Sequence, residues 1–181
     1  MEKKGVIILG SSRSNGNTAK VSEYIAAKTR YDILDLTEYQ IGPYHYENIH
    51  QHDDFLPLMR RIAETYDTII FATPVYWYSM SGTMKIFFDR ITDCLKIEKE
   101  TGRKLRGKTM AMLSCGSDSE LKPGFEMPFR ESANYLGMKY AGEVHTWIEN
   151  NEIPLEVEQQ LEDFLENITS TTFAVDPVSV K

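Results

Sequence analysis

Apolar residues along this chain switch repeatedly between two spacings. Residues 5–10 read Gly-Val-Ile-Ile-Leu-Gly, a continuous apolar run bounded by glycines, which predicts a strand buried on both faces in a parallel sheet. Ala19, Val21, Tyr24, Ile25 and Ala26 then recur at helical spacing, so a first helix follows the first strand. Residues 31–36 alternate more strictly and predict a second strand nearer the sheet edge. From 37 to 54 the period fails, while Tyr39, Tyr44, His45, Tyr46, His50 and His52 crowd together; this stretch reads as a loop or insertion. A helix over 56–66 leads into the apolar run 68–72, which stops at Thr73-Pro74. Met84, Ile86, Phe87, Phe88 and Ile91 mark an amphipathic helix over 82–95. A fourth strand over 108–113, a helix over 129–136 and a fifth strand over 139–146 continue the alternation. Leu155, Val157, Leu161, Phe164 and Leu165 suit a closing helix before a loose tail over about 170–181 that contains Pro177.

Strands alternating with helices predict a parallel sheet covered on both faces by right-handed crossovers. The expected fold class is therefore α/β, a three-layer sandwich with a five-stranded parallel sheet. No repeat or linker divides the chain, and 181 residues suit one core, so 1–181 is read as a single domain. The 41% hydrophobic and 26% charged content excludes a disordered chain. A net charge of −7 without any basic stripe argues against nucleic-acid binding. The one basic stretch, 99–108, also contains Glu100 and reads as a solvated helix end and loop. No apolar stretch approaches the roughly 20 residues that span a bilayer, and no export signal follows Met1. With only Cys94 and Cys115 there is no disulfide framework. The expected location is the cytoplasm.

The strongest chemical signal lies between the first strand and first helix, Gly10-Ser11-Ser12-Arg13-Ser14-Asn15-Gly16-Asn17-Thr18. Ligands of open parallel sheets bind beyond the carboxyl ends of the strands, where a helix N-terminus offers unpaired N–H groups to an anion. Ser11, Ser14 and Thr18 add hydroxyl donors, Asn15 and Asn17 add amides, Arg13 adds charge, and Gly10 and Gly16 permit close approach. A helix cap alone needs one or two such residues. The segment has neither Gly-x-x-x-x-Gly-Lys-Ser/Thr nor Gly-x-Gly-x-x-Gly spacing, which leaves a monophosphate as the simplest guest. In a sheet of order 2-1-3-4-5 the third strand ends beside the first, at the switch point. There Thr73-Pro74-Val75-Tyr76-Trp77-Tyr78-Ser79 supplies backbone donors after a fixed turn, and Tyr76 or Trp77 to cover a flat heterocycle. Ser114-Cys115-Gly116-Ser117 after the fourth strand is a third, weaker candidate. Cys115 has no assignable partner and reads as an inert thiol. His45, His50, His52 and His145 lack zinc spacing, and Asp89 and Asp93, near Arg90 and Lys96, read as ordinary surface charges.

With these segments identified, the chain resembles the NADPH-dependent FMN reductase and iron-sulfur flavoprotein group of the flavodoxin-like superfamily. The likeness spans 6–146 and rests on the 10–18 loop and on the run Thr73-Pro74-Val75-Tyr76-Trp77-Tyr78-Ser79-Met80-Ser81-Gly82-Thr83-Met84-Lys85-Ile86-Phe87-Phe88-Asp89-Arg90. It implies FMN as cofactor, with its phosphate held by Ser11, Arg13, Ser14, Asn15, Gly16, Asn17 and Thr18. It places the isoalloxazine against Pro74, Val75, Tyr76 and Trp77, with Ser114, Cys115 and Gly116 in the third loop. Iron-sulfur members carry a cysteine cluster where this chain has Tyr44, His45, Tyr46 and His50. Two cysteines cannot supply four thiolates, so the likeness is to the cluster-free reductases, commonly homodimers. The implied activity is hydride transfer from NADPH or NADH to the flavin, then electrons to a small acceptor such as a quinone. No side-chain acid or base and no metal is required. The rival reading is a flavodoxin-type electron carrier, which the acidic charge suits. A scaffold that has lost its cofactor is a further alternative, against which the intact phosphate loop stands.

Overall fold

A computed structural model describes residues 4–173. Its elements in chain order are β1 Gly5–Leu9, α1 Asn17–Thr29, β2 Asp32–Asp35, α2 Phe55–Thr65, β3 Thr68–Pro74, α3 Gly82–Lys96, α4 Lys99–Arg103, β4 Thr109–Cys115, α5 Met127–Leu136, β5 Lys139–Thr146 and α6 Leu155–Phe173. The five strands form one sheet of order β2-β1-β3-β4-β5, and every adjacent pair is parallel. This is the expected topology. Pleating sends alternate side chains to opposite faces. Val6, Ile8, Ile69, Phe71, Met110 and Met112 join α2, α3 and α5 in one core. Ile7, Leu9, Ile70, Ala72, Ala111 and Leu113 join α1 and α6 in the other. The central strands are buried on both faces, which is why their sequences read as unbroken apolar runs.

Two strands run further than their apolar cores. β3 continues through Thr73 and Pro74, and β4 through Ser114 and Cys115, because these pairs hold register with each other. Pro74 is tolerated as the last residue, where the ladder ends. Ser114 and Cys115 are therefore strand residues, not loop residues. In β5, Tyr140 faces Met110 and Glu143 faces Met112, so Ala141 and Gly142 together oppose Ala111. Gly142 takes φ 98 to accommodate the extra residue, a bulge that re-aims the side chains beyond it. The stretch 99–108 folds into α4 and a turn with Thr101, Gly102 and Leu105 buried. Helix α6 reaches Phe173, a few residues into the expected tail; the remainder of that tail, with Pro177, lies outside the described residues.

Asp89 is exposed as expected, but Asp93 corrects its reading as a surface charge, because it is buried against its neighbour Arg90. Arg90 is 1% exposed and Asp93 4%. The Arg90 guanidinium donates from Nε to Asp93 at 2.6 Å, from Nη1 to Asp53 at 2.6 Å and to the Gly42 carbonyl at 2.9 Å, and from Nη2 to the His50 carbonyl at 3.1 Å. It also lies 4.9 Å over the Phe55 ring. One arginine thus fastens the irregular 37–54 segment onto α3. The histidine-rich loop is a structural strap: His50 contributes its backbone carbonyl, and His45 Nδ1 accepts from Glu47 N at 3.2 Å.

Burial pushes the Asp53 carboxyl up, but donors from Arg90, Phe55 N and Gly42 N outweigh it and hold it below the ordinary carboxylate range. Its stabilising contribution is present above the unfolded value near 3.8 and lost as pH falls through the lower folded value. Arg90→Met, which strands two carboxylates, should cost about 3–5 kcal/mol in urea denaturation at pH 7. Asp53→Asn should likewise be less stable than wild type at pH 7, with the gap closing below pH 3.8. A gap independent of pH would refute the ion-pair account.

Candidate functional site

The carboxyl ends of β1, β3 and β4 open on a cleft of about 240 Å³. Its first wall is the β1–α1 loop, contributing Ser11, Arg13, Gly16, Asn17 and Thr18. Helix α1 begins after Gly16 with no side chain capping it and no acidic residue in its first turn. Among the described residues its leading N–H groups have no side-chain acceptor, and they lie at the positive end of the helix dipole. Ser11 and Thr18 are buried at the base of this wall, and Ser11 Oγ accepts from Arg13 N at 3.2 Å. Ser14 and Asn15 do not line the cleft. The Ser14 hydroxyl lies instead 3.1 Å from Thr37 Oγ1, itself held by Asp35 Oδ1 at 2.8 Å.

The second wall is Pro74, Val75 and Tyr76. Tyr76 and Ser79 exchange both backbone hydrogen bonds, at 2.9 and 3.1 Å, making a two-residue hairpin turn of Trp77 and Tyr78. These residues sit at φ 49 and φ 62, a region that suits asparagine or glycine and strains aromatic residues. Trp77 points away from the cleft and is 93% exposed. The Tyr76 hydroxyl lies 3.3 Å from Ser12 Oγ, linking the first and second walls.

Ser81 locks these two walls together. Its hydroxyl donates to the Gly10 carbonyl and accepts from Met84 N at 3.0 Å, capping α3, while its own N–H donates to Thr73 Oγ1 at 3.0 Å. Gly10 suits this close approach, because a Cβ would lie 2.9 Å from Met84 Cβ and 3.3 Å from its Cα, atoms fixed by α3.

The third wall is Cys115, Gly116 and Ser117. The Val75 N–H donates to the Cys115 carbonyl at 2.9 Å, joining second and third walls. Burial pushes the Cys115 thiol up, so it stays protonated at neutral pH. Ser114 does not line the cleft; its side chain is wholly buried, with Oγ 2.9 Å from His145 Nδ1. Ser117 does line it, and the small-residue run 114–117 was the available signal. His145 went unrecognised because its contact with β4 depends on strand register and a bulge, neither of which is written in local sequence.

A larger groove of about 420 Å³ runs between α3 and α5. Its floor is apolar, with Met80, Phe88, Ile91 and Leu95, and Asp89 and Glu131 stand on its rim. Lys85 at that rim is paired with Asp89 at 2.5 Å. This lining repels a phosphate. Among the described residues, no group of three or more His, Cys, Asp or Glu side chains is placed to hold a metal ion, and no helix is long and apolar enough to cross a membrane.

A five-stranded parallel sheet of this order, with its cleft at the switch between β1 and β3, defines a flavodoxin-like protein. Residues 4–152 match the family described as NADPH-dependent FMN reductase, and the chain belongs to that family. It is an FMN-containing, NAD(P)H-dependent oxidoreductase. YwqN of Bacillus subtilis (strain 168), whose name assigns it provisionally as an NAD(P)H-dependent FMN-containing oxidoreductase, is 28% identical over 78% of this chain and 83% of its own. The Trp repressor binding protein from Bacillus subtilis superposes with a TM-score of 0.68 at 22% identity, over 96% of this chain and 100% of that one. General stress protein 14 from Treponema denticola, solved in complex with FMN, gives 0.64 at 16% identity, over 93% and 99%. These two structures bear on the fold.

The strained turn generates a test. Trp77→Asn combined with Tyr78→Gly should raise unfolding stability by about 1–2 kcal/mol, measured by chemical denaturation. A loss of stability would mean that aromatic contacts hold the turn.

Proposed function

We propose that this cleft is the FMN site and that the protein uses it to reduce a small acceptor such as a quinone at the expense of NADPH or NADH. The observation that carries the reading is the start of α1: uncapped, free of acid, and flanked by the buried hydroxyls of Ser11 and Thr18. That donor set fits a phosphate monoester and would repel nothing in it. Ser11, Arg13, Gly16, Asn17 and Thr18 would hold the phosphate, while Ser14 and Asn15 would shape the loop from outside. Pro74, Val75, Tyr76, Cys115, Gly116 and Ser117 would bound the ring end, Ser114 would support the third wall from within the sheet, and Trp77, on the exposed turn outside the cleft, would meet a bound partner ring or a second subunit only from the solvent side. The chemistry supplied by FMN is acceptance of a hydride from a nicotinamide and delivery of electrons to an acceptor.

The protein's part is placement. The Ser81 bonds to Gly10 and Thr73 fix the distance between the phosphate wall and the ring wall before any ligand arrives, so little ordering is needed on binding. Backbone donors near Gly116 would face the side of a flavin where negative charge grows on reduction. A homodimer is part of the proposal, supported by the family resemblance, the apolar α3/α5 groove and the exposed aromatic turn. A cytoplasmic location is supported by two free cysteines.

Asn17→Asp separates helix stability from phosphate binding. A carboxylate at the first position of α1 favours the helix by about 0.3–1 kcal/mol but opposes a phosphate dianion. The variant should be at least as stable as wild type, bind FMN about 10-fold or more weakly, and bind riboflavin, which lacks the phosphate, unchanged. Equal effects on both flavins would remove the phosphate from α1. Mixing the holoprotein with NADPH or NADH should bleach the flavin absorbance, and a spectrum that persists would contradict the reductase reading.

A further inference from the structure

His145 sits at the end of β5, directly across from Ser114 in the β4–β5 register, and it faces that partner because the bulge at Gly142 shifts the strand by one residue. Its ring bridges two parts of the chain. Nδ1 lies 2.9 Å from Ser114 Oγ, and Nε2 lies 3.0 Å from the Asp118 carbonyl oxygen. Gly116 leaves room for the ring, since a Cβ there would lie 2.9 Å from His145 Cε1. The imidazole is therefore wedged behind the loop that forms the third wall of the cleft. Asp118 ties the same loop to itself, its carboxylate accepting from Ser117 Oγ at 2.9 Å and Glu120 N at 3.0 Å. The N–H groups of Ser117 and Asp118 pair with no group among the described residues.

The partners also determine the tautomer. A carbonyl only accepts, so Nε2 must carry the proton. Ser114 then donates to Nδ1 at 2.9 Å, a better bond than its alternative to the Val144 carbonyl at 3.4 Å.

We propose that His145, with Nε2 protonated, is a positioning residue for the flavin. It holds the 116–118 loop so that the N–H of Ser117, a residue that lines the cleft, is offered to the carbonyl side of the isoalloxazine. The proposal rests on the FMN reading of the cleft. It assigns His145 to the ring end of the site, whereas Asn17 belongs to the phosphate end.

Two measurements test it. The first is the 15N spectrum of the His145 imidazole in wild-type protein. An Nε2–H ring is expected, and an Nδ1–H ring overturns the proposal whether or not any variant folds. The second is titration of FMN-stripped full-length His145→Ala and His145→Gln with FMN and with riboflavin, alongside thermal unfolding of each stripped protein. Removal of the bridge should weaken both flavins alike, by about 10-fold, the equivalent of one or two hydrogen bonds, with the unfolding midpoint little changed. Glutamine, which restores a donor near the Nε2 position, should recover most of that affinity. Unchanged affinity in the alanine variant overturns the role of His145. Weakening of FMN alone also overturns it, because the loop would then act on the phosphate. Wild-type protein that binds neither flavin would instead defeat the underlying cofactor reading.

Discussion

Three parallel strands must end on the same edge of the sheet, and everything at that edge follows from how the ends are tied to one another. β1, β3 and β4 stop within a few residues of each other, and each feeds a loop whose backbone would otherwise be free to move. Ser81 ties the first loop to the second through Gly10 and Thr73. The Val75 bond to Cys115 ties the second to the third. His145 supports the third from β5. The result is a rigid frame around an opening helix turn that no side chain among the described residues caps. A helix end left uncapped costs stability unless something else satisfies it. A bound phosphate is the most economical candidate.

The same division between rigid frame and tolerated cost appears at Trp77 and Tyr78. A left-handed turn built from two exposed aromatic residues is a poor choice for folding alone. Its cost makes sense if those side chains meet a ligand or a second subunit, as proposed above. By contrast, Arg90 shows stability and form served together. Its guanidinium satisfies two carboxylates and two carbonyls while binding a loop that has no secondary structure to hold it.

Much of this was legible in sequence, and the failures have physical causes. The buried strands were visible because β1, β3 and β4 are apolar on both faces; alternation with helices made the sheet parallel, and its order 2-1-3-4-5 was that of the flavodoxin-like arrangement, not of the pattern itself. The ends of β3 and β4 were placed too early because Thr73, Pro74, Ser114 and Cys115 look like turn residues, while ladder pairing between strands is a tertiary fact. Asp93 read as a surface charge because nothing near it in sequence reveals that residues 42–53 fold over it and its partner Arg90. Of the expected cleft residues, Ser14 and Asn15 fall outside because the loop turns Ser14 toward Thr37, and Trp77 falls outside because the hairpin points it to solvent. Ser117 enters because β4 extends two residues further than its apolar run, carrying the third loop forward.

The central claim is that the first turn of α1 receives a phosphate. The most direct measurement is amide chemical-shift mapping of the full-length protein during addition of FMN. The amides of Asn17, Thr18 and Ala19 should move most, with smaller shifts at Val75, Tyr76, Gly116 and Ser117. Shifts concentrated along α3 and α5, with the start of α1 unmoved, would contradict the account and transfer the flavin to the apolar groove.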